Sequence, residues 1–275
     1  MVTKMTGIKQ EQIEALARDE KIIRSPIDCL YEIFHCNTKI RRYEVKWRKI
    51  NLKEKEKSPF LELTRMDQKT YSTVSKIALP KVVLKTEHEK SIFKGYNIKR
   101  HSAKEITLDQ LGELLYLSYG VIKELPNGKK LRPVLSTDNL YPIEIYPIIF
   151  KIRNIKEGIY HYNAKKHILE TLKCGDIKDK LMSCCLNPEL LTNAAVFLVL
   201  TAIFKRVTFK YGDRGYRYVL LDAGHVTEKL YLIAAFMDME ITIVREFLDD
   251  EINDLIGING VDEATICGVA IRRRD

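Results

Sequence analysis

The chain has 275 residues, 45% of them hydrophobic, enough to bury the core of one large domain or of a domain with an extension. Its 46 basic residues outnumber 37 acidic ones and give a net charge of +9, which suits anionic partners, but no long Lys/Arg block marks a nucleic-acid binder. The longest apolar run, AAVFLVLTAIF, falls well short of the ~20 residues of a membrane span, and the charged start MVTKMTGIKQEQIEALARDEK has no secretory pattern. The expected setting is therefore cytoplasmic, with neither nucleic acid nor membrane as partner.

In chain order, Thr6 can cap a first helix that carries Ile13, Leu16, Ala17 and Ile23 and ends before Pro26. The charged stretch RRYEVKWRKINLKEKEKSP reads as a solvated connection with Trp47 as an anchor. The pattern becomes more regular from KIALPKVVLK, so the expected division is an N-terminal segment, 1–85, and a main domain, 86–275. ITLDQLGELLYLSYG is a helix with a capping box at Thr107 and Gln110 and a stop at Gly120. IEIYPIIF, GIYHYN and HILETL read as strands, and VFLVLTAIF as a strand buried on both faces.

AGHVTEKLYLIAAFM reads as a helix, ITIV as a strand, DDEINDLIG as a helix capped by Asp249 and Gly257, and TICGVAI as a last strand. Helices and strands intermix without β-α-β alternation, which predicts an α+β fold, a mixed β-sheet flanked by helices. Cys29, Cys36, Cys174, Cys184, Cys185 and Cys267 lack C-x-x-C spacing and read as reduced thiols, the Cys184-Cys185 pair as helix packing; no metal site is expected. His161 and Tyr162 read as hairpin packing and His225, at the start of its helix, as a core or dimer-interface histidine. Alternation alone does not decide whether Glu144 faces inward.

Several of these segments together resemble the SagB/ThcOx-type dehydrogenases, a branch of the nitroreductase-like flavoproteins. FHCNTK resembles the His-x-x-Thr-Lys signature and IALP the Leu-Pro motif. ITLDQLGELLYLSYG, LSTDNLYPIEIYPIIF, GIYHYNAKKHILETL, KYGDRGYRYVLLDAGHV and EFLDDEINDLIGI follow in the family's order. The resemblance runs from about Tyr31 to Arg272. It implies an FMN-dependent homodimer that oxidises peptide thiazolines and oxazolines to thiazoles and oxazoles beside a cyclodehydratase.

Lys210 and Tyr211 stand where that family carries its catalytic Lys-Tyr pair. Both side chains have unperturbed pKa values near 10, and burial of the lysine or a cation beside the tyrosine would bring them toward neutrality. Neighbours on a strand face opposite ways, so the chain must leave strand geometry there, which Gly212 and Gly215 permit. Read from the residues alone, the same stretch also fits a surface loop with an ordinary ion pair.

By resemblance, the family's Arg-rich motif for the flavin phosphate aligns on Gly95 to Lys99 or, in a slipped register, on Arg100 to Lys104, making Lys99 and Arg100 candidates. Arg272 to Arg274 could also reach it, or form a solvated tail. Arg214 and Arg217 are further cofactor candidates. Ser136, Thr137, Asp138 and Asn139 stand where small residues lie against the ring in the family, and Arg245 and Glu246 where it has Gly-Gly. These departures leave open a flavin-poor subunit that binds peptide or scaffolds a modification complex, and a flavin reductase of another small molecule.

Overall fold

The computed structural model describes residues 30–46, 105–126 and 130–273. The helix expected from Thr6, Trp47, the IALP motif, the boundary at 85 and the candidates Lys99 and Arg100 lie outside the described residues.

Helix α1 spans Leu30–Thr38, α2 Leu108–Tyr119, α3 Lys178–Cys184, α4 Lys205–Tyr211, α5 Arg214–Phe236 and α6 Asp249–Ile256. Strands β1, Lys123–Glu124, and β2, Lys130–Leu131, form a small hairpin. The main sheet contains β3 (Ile143–Ile149), β4 (Gly158–Asn163), β5 (Ile168–Cys174), β6 (Val196–Ile203), β7 (Met239–Val244) and β8 (Glu263–Arg273) in the order β5-β4-β3-β6-β8-β7. The α+β class holds, but every pairing in this sheet is antiparallel where a mixed sheet was expected. The described parallel pairing is an isolated bridge, Ile106 to Ile152.

β6 lies at the centre, flanked by β3 and β8, and its residues are buried from Val196 to Ala202. This is the outcome its unbroken apolar run predicts. One face of the sheet, with Ile143, Ile145, Leu198, Leu200 and Val269, packs with Leu111 and Leu114 of α2 and Val219 and Leu230 of α5. The other, with Ile148, Phe197 and Val199, packs with Leu181 of α3 and Ile252 and Leu255 of α6. The result is three layers, each fully buried aliphatic side chain contributing roughly 1.5–3 kcal/mol. The capping box of α2 forms as expected, Thr107 Oγ1 accepting from Gln110 N at 3.2 Å and Gln110 Oε1 from Thr107 N at 3.1 Å. α6 differs. Asp249 is its first helical residue rather than its cap, and its carboxylate accepts from Ile40 N at 2.9 Å.

α1 straps the joint between α4 and α5. Tyr31 N donates to Asp213 Oδ1 at 3.2 Å, and His35 Nδ1 lies 3.2 Å from the Tyr216 hydroxyl. Burial, helped by Lys39, pushes the His35 pKa down to about 4, so this ring is neutral at physiological pH. Beyond the helix, Lys39 meets Asp250 at 2.7 Å and Arg42 meets Glu251 at 2.5 Å.

α5 begins at Arg214, nine residues before the expected start, and the preceding segment is helix α4 rather than a loop. Gly212 ends α4 with φ 53°, a conformation favoured by glycine. Gly215 has a different job from the expected one of freeing the chain: a Cβ there would lie 2.9 Å from Thr208 Cα and 3.0 Å from Thr208 N. It lets α5 back directly onto α4.

Glu144 points inward, into a charged cluster on the α3/α6 face of the sheet. Glu144 Oε2 lies 3.0 Å from His161 Nε2, and His161 Nδ1 lies 2.9 Å from Glu170 Oε2. Asn163 Nδ2 donates to Glu170 Oε1 at 2.8 Å. His161 is thus more than hairpin packing: both ring nitrogens face carboxylate oxygens, which requires the doubly protonated ring. The hydrogen bond to Glu144 raises its pKa, against burial, with Glu170 adding to the rise. Burial works to raise Glu144, but His161 and Arg206 outweigh it and leave its pKa lowered. Tyr162, by contrast, packs in the core with its hydroxyl 2.9 Å from His167 Nδ1. His225 is exposed on α5 rather than in the core, because the buried face of the helix runs through Val219, Asp222, Ala223, Val226 and Leu230 and leaves position 225 outside it.

Gly215→Ala should cost about 1–3 kcal/mol in denaturant unfolding, because the methyl group meets rigid backbone. The His161 contribution should be fully present below the unfolded histidine pKa and be lost as pH rises through the raised folded value. His161→Gln should flatten that part of a stability-versus-pH curve, and an unchanged curve would remove the cluster from the account.

Candidate active site

The site is built on the turn between β2 and β3 and on the helix that follows β6. Ser136 to Tyr141 form a tight turn containing a 3-10 segment, Thr137–Asn139. Asp138, Asn139 and Tyr141 all have positive φ, at 50°, 57° and 46°. Asp and Asn tolerate this region better than other non-glycine residues, so the turn forms without the family's small side chains. Tyr141 does not share that tolerance and is held by its neighbours. Its N–H donates to Ser136 Oγ at 2.9 Å, and its hydroxyl donates to Asn139 Oδ1 at 3.1 Å while accepting from Arg132 N at 3.0 Å.

Asp222, on α5 and 2% exposed, fastens the front of the turn. Ser136 Oγ donates to its carboxylate at 2.5 Å and Thr137 N at 3.3 Å. Burial raises the Asp222 pKa, opposed by these hydrogen bonds. Ser136, Thr137 and Asn139 therefore use their polar groups to hold the turn, whereas Asp138 directs its carboxylate at α4.

That carboxylate brings the predicted pair together. Lys210 Nζ and the Tyr211 hydroxyl both donate to Asp138 Oδ2. Lys210 and Tyr211 are the last residues of α4, not part of a strand, so they leave the helix end about 100° apart rather than on opposite faces, and their long side chains can meet on one acceptor. Lys210 Nζ also lies 5.0 Å from the centre of the Tyr211 ring. The expectation that burial would lower the Lys210 pKa is corrected. The side chain is 58% exposed, and Asp138 first, then Tyr211, raise its pKa. Lys210 is thus held as an ammonium ion.

Arg206, one turn earlier on α4, was not singled out from the sequence. Its Nη1 donates to Tyr141 O at 2.9 Å and to Glu144 Oε1 at 2.6 Å. A basic residue four positions before Lys210 is the signal that could have found it, since i and i+4 share a helix face.

The remaining candidates are dispersed. Arg214 and Arg217 are exposed at the start of α5, with Arg214 Cζ 5.8 Å from the Tyr218 ring centre. Arg245 is exposed after β7, while Glu246 O accepts from Leu186 N at 3.1 Å and its carboxylate from Asn187 Nδ2 at 3.2 Å. Arg272 is 14% exposed and its Nη2 is held by Glu240 at 2.5 Å and Thr242 at 3.1 Å. It stands at the far end of β8 from Ala264, which is level with Ala202 and so with Ile143, where the turn enters β3. Its guanidinium is used inside the sheet rather than extended into a solvated tail.

As a donor set, Lys210 and Tyr211 fit the acceptor-rich edge of a flavin ring, and the exposed Arg214 and Arg217 fit a phosphate. The Asp138 charge opposes a reduced, anionic ring. Among the described residues, no group of three or more His, Cys, Asp or Glu could hold a metal ion, and no helix is long and apolar enough to cross a membrane. The described cysteines are free thiols; Cys184 and Cys185 are buried, the first in α3 and the second paired with Phe247 in an isolated bridge.

Comparison with known proteins agrees with this architecture. A Methanocaldococcus jannaschii protein that carries the nitroreductase name is 29% identical over 170 residues, 62% of this chain and 84% of its own length. The trifolitoxin-processing protein TfxB of Rhizobium leguminosarum bv. trifolii is 22% identical over 182 residues, 62% of this chain but only 48% of its own. Among solved structures, a chain of the Escherichia coli microcin synthetase McbBCD complex with truncated pro-MccB17 bound shares the fold at TM-score 0.65 and 16% identity, over 93% of this chain and 96% of that one. A nitroreductase-type structure from Anabaena variabilis matches at TM-score 0.57 and 23% identity, over 89% of this chain and 46% of its own. Residues 97–271 match the description of the Nitroreductase family over more than half of the sequence, and the chain belongs to that family.

Proposed function

We propose that the chain is an FMN-dependent oxidoreductase that converts peptide thiazolines and oxazolines to thiazoles and oxazoles, acting as a homodimer beside a cyclodehydratase. The observation that carries the reading is the convergence of Lys210 and Tyr211 on the Asp138 carboxylate at an exposed turn. The peptide-processing name of TfxB and the peptide bound in the microcin synthetase complex support the choice of substrate class.

Azoline oxidation takes a proton and a hydride from adjacent ring carbons; the flavin, when bound, supplies the hydride acceptor. The chain supplies the proton path. Tyr211 passes its proton to Asp138 Oδ2 as it takes the one leaving the ring carbon. Lys210, kept cationic by Asp138, donates a hydrogen bond and offsets negative charge that builds up nearby. Arg214 and Arg217 would hold the cofactor phosphate from this chain's described residues, with Lys99 and Arg100 as further phosphate ligands.

One observation favours a second reading, a flavin-poor subunit that binds peptide or scaffolds a complex: a carboxylate stands at the turn where the resembling family carries small residues. A visible spectrum of the purified protein, before and after adding FMN, separates the two. The enzyme reading predicts flavin absorbance and azoline turnover that falls on the order of 100-fold in Lys210→Ala and Tyr211→Phe. Colourless protein that takes up no FMN would sink it. Yellow protein that ignores azoline peptides and accepts electrons from a nicotinamide would reassign it as a reductase of another small molecule.

A further inference from the structure

We propose that Arg206 is a positioning residue for Lys210 and Tyr211, and that the Glu144, His161 and Glu170 cluster sets its hold. The inference rests on the reading of Lys210 and Tyr211 as the working pair, but not on the identity of their substrate. α4 meets the Ser136 to Tyr141 turn at two points. Lys210 and Tyr211, at its C-terminal end, hold Asp138; Arg206, at its N-terminal end, holds the Tyr141 carbonyl at 2.9 Å. Arg206 and Lys210 are four residues apart on a helix and share a face. The turn between the two points contains three non-glycine residues at positive φ, so it needs fastening at both ends to keep Asp138 aimed.

Arg206 is itself fixed. Its guanidinium meets Glu144 Oε1 at 2.6 Å, and Glu144, 14% exposed, gives its other oxygen to His161 at 3.0 Å. Two cations, Arg206 and protonated His161, face two carboxylates, Glu144 and Glu170. From the other elements, the Tyr146 ring of β3 lies 5.1 Å from His161, and its hydroxyl donates to Glu263 of β8 at 2.9 Å. When His161 loses the proton that faces Glu144, that carboxylate loses its anchor on β4 and can rotate, drawing the paired Arg206 away from the Tyr141 carbonyl. An arginine suits this position because one terminal nitrogen of its always-charged, rigid guanidinium serves the carbonyl and the carboxylate together, and a lysine ammonium on a flexible stem holds that geometry less firmly.

The test measures the amine reactivity of Lys210 in the full-length protein, with no flavin or substrate needed. An acylating reagent is applied under competitive conditions and Lys210 labelling is read by mass spectrometry against exposed Lys165. In the wild type Lys210 should label more slowly than Lys165, since the reactive neutral fraction falls about tenfold per unit of raised pKa. Asp138→Asn should abolish this protection. Arg206→Gln should remove most of it, Arg206→Lys should restore part of it, and in His161→Gln the protection should lose any pH dependence that the wild type shows above the ordinary histidine range. If Asp138→Asn exposes Lys210 while Arg206→Gln leaves it protected, the positioning role is overturned and the contact at Asp138 stands. If Asp138→Asn changes nothing, the contact itself is overturned and the positioning role with it. Should Arg206→Gln fail to fold, Glu144→Gln loosens Arg206 without removing it: loss of Lys210 protection then supports the positioning role, and retained protection overturns it.

Discussion

One carboxylate, that of Asp138, organises the candidate site. By accepting from both Lys210 and Tyr211 it brings together two side chains that diverge from the end of α4, and it fixes the charge of the lysine. A lysine near neutrality would need to be buried away from anions, and this one is exposed beside an anion. The chemistry available here is therefore that of a fixed cation beside a phenol and a carboxylate, not that of a neutral amine base.

The constraint then passes outward. Asp138 can point at α4 only because the turn adopts left-handed backbone angles, and those angles persist because neighbouring elements hold them. Asp222 of α5 fastens Ser136 and Thr137, Arg132 and Asn139 fasten the Tyr141 ring, and Arg206 fastens the Tyr141 carbonyl. α5 can serve α4 and the turn together because Gly215 lets the two helices touch backbone to backbone. α1 closes the other side of the same joint through Asp213 and Tyr216.

Much of this framework was legible in the sequence. The all-apolar β6 announced a strand buried on both faces, the Thr107 and Gln110 spacing announced α2, and the intermixing of helices and strands announced the α+β class. What was not legible has physical causes. KRVTFKY has neither a capping residue nor an apolar stripe, so α4 leaves little periodic signal, and its helical state comes from packing against α5. Strand direction is invisible in composition, which is why a mixed sheet was expected. At the site, adjacency in sequence pointed to Lys210 and Tyr211, but the sign of the lysine shift depended on Asp138, seventy-two residues away. Glu144, His161 and Arg206 lie on three different elements, and no local pattern links them. Arg272 looked like part of a free basic tail until its partner on β7 was visible.

The central claim is that Asp138 holds Lys210 as an ammonium ion beside Tyr211. The most direct measurement is an NMR titration of the Lys210 ε-amine in the isotopically labelled wild-type protein and in Asp138→Asn. The account predicts a midpoint above the ordinary lysine value of 10.5 in the wild type and a fall toward that value in the variant. A wild-type midpoint displaced toward neutrality would contradict it and return Lys210 to the role of a neutral base.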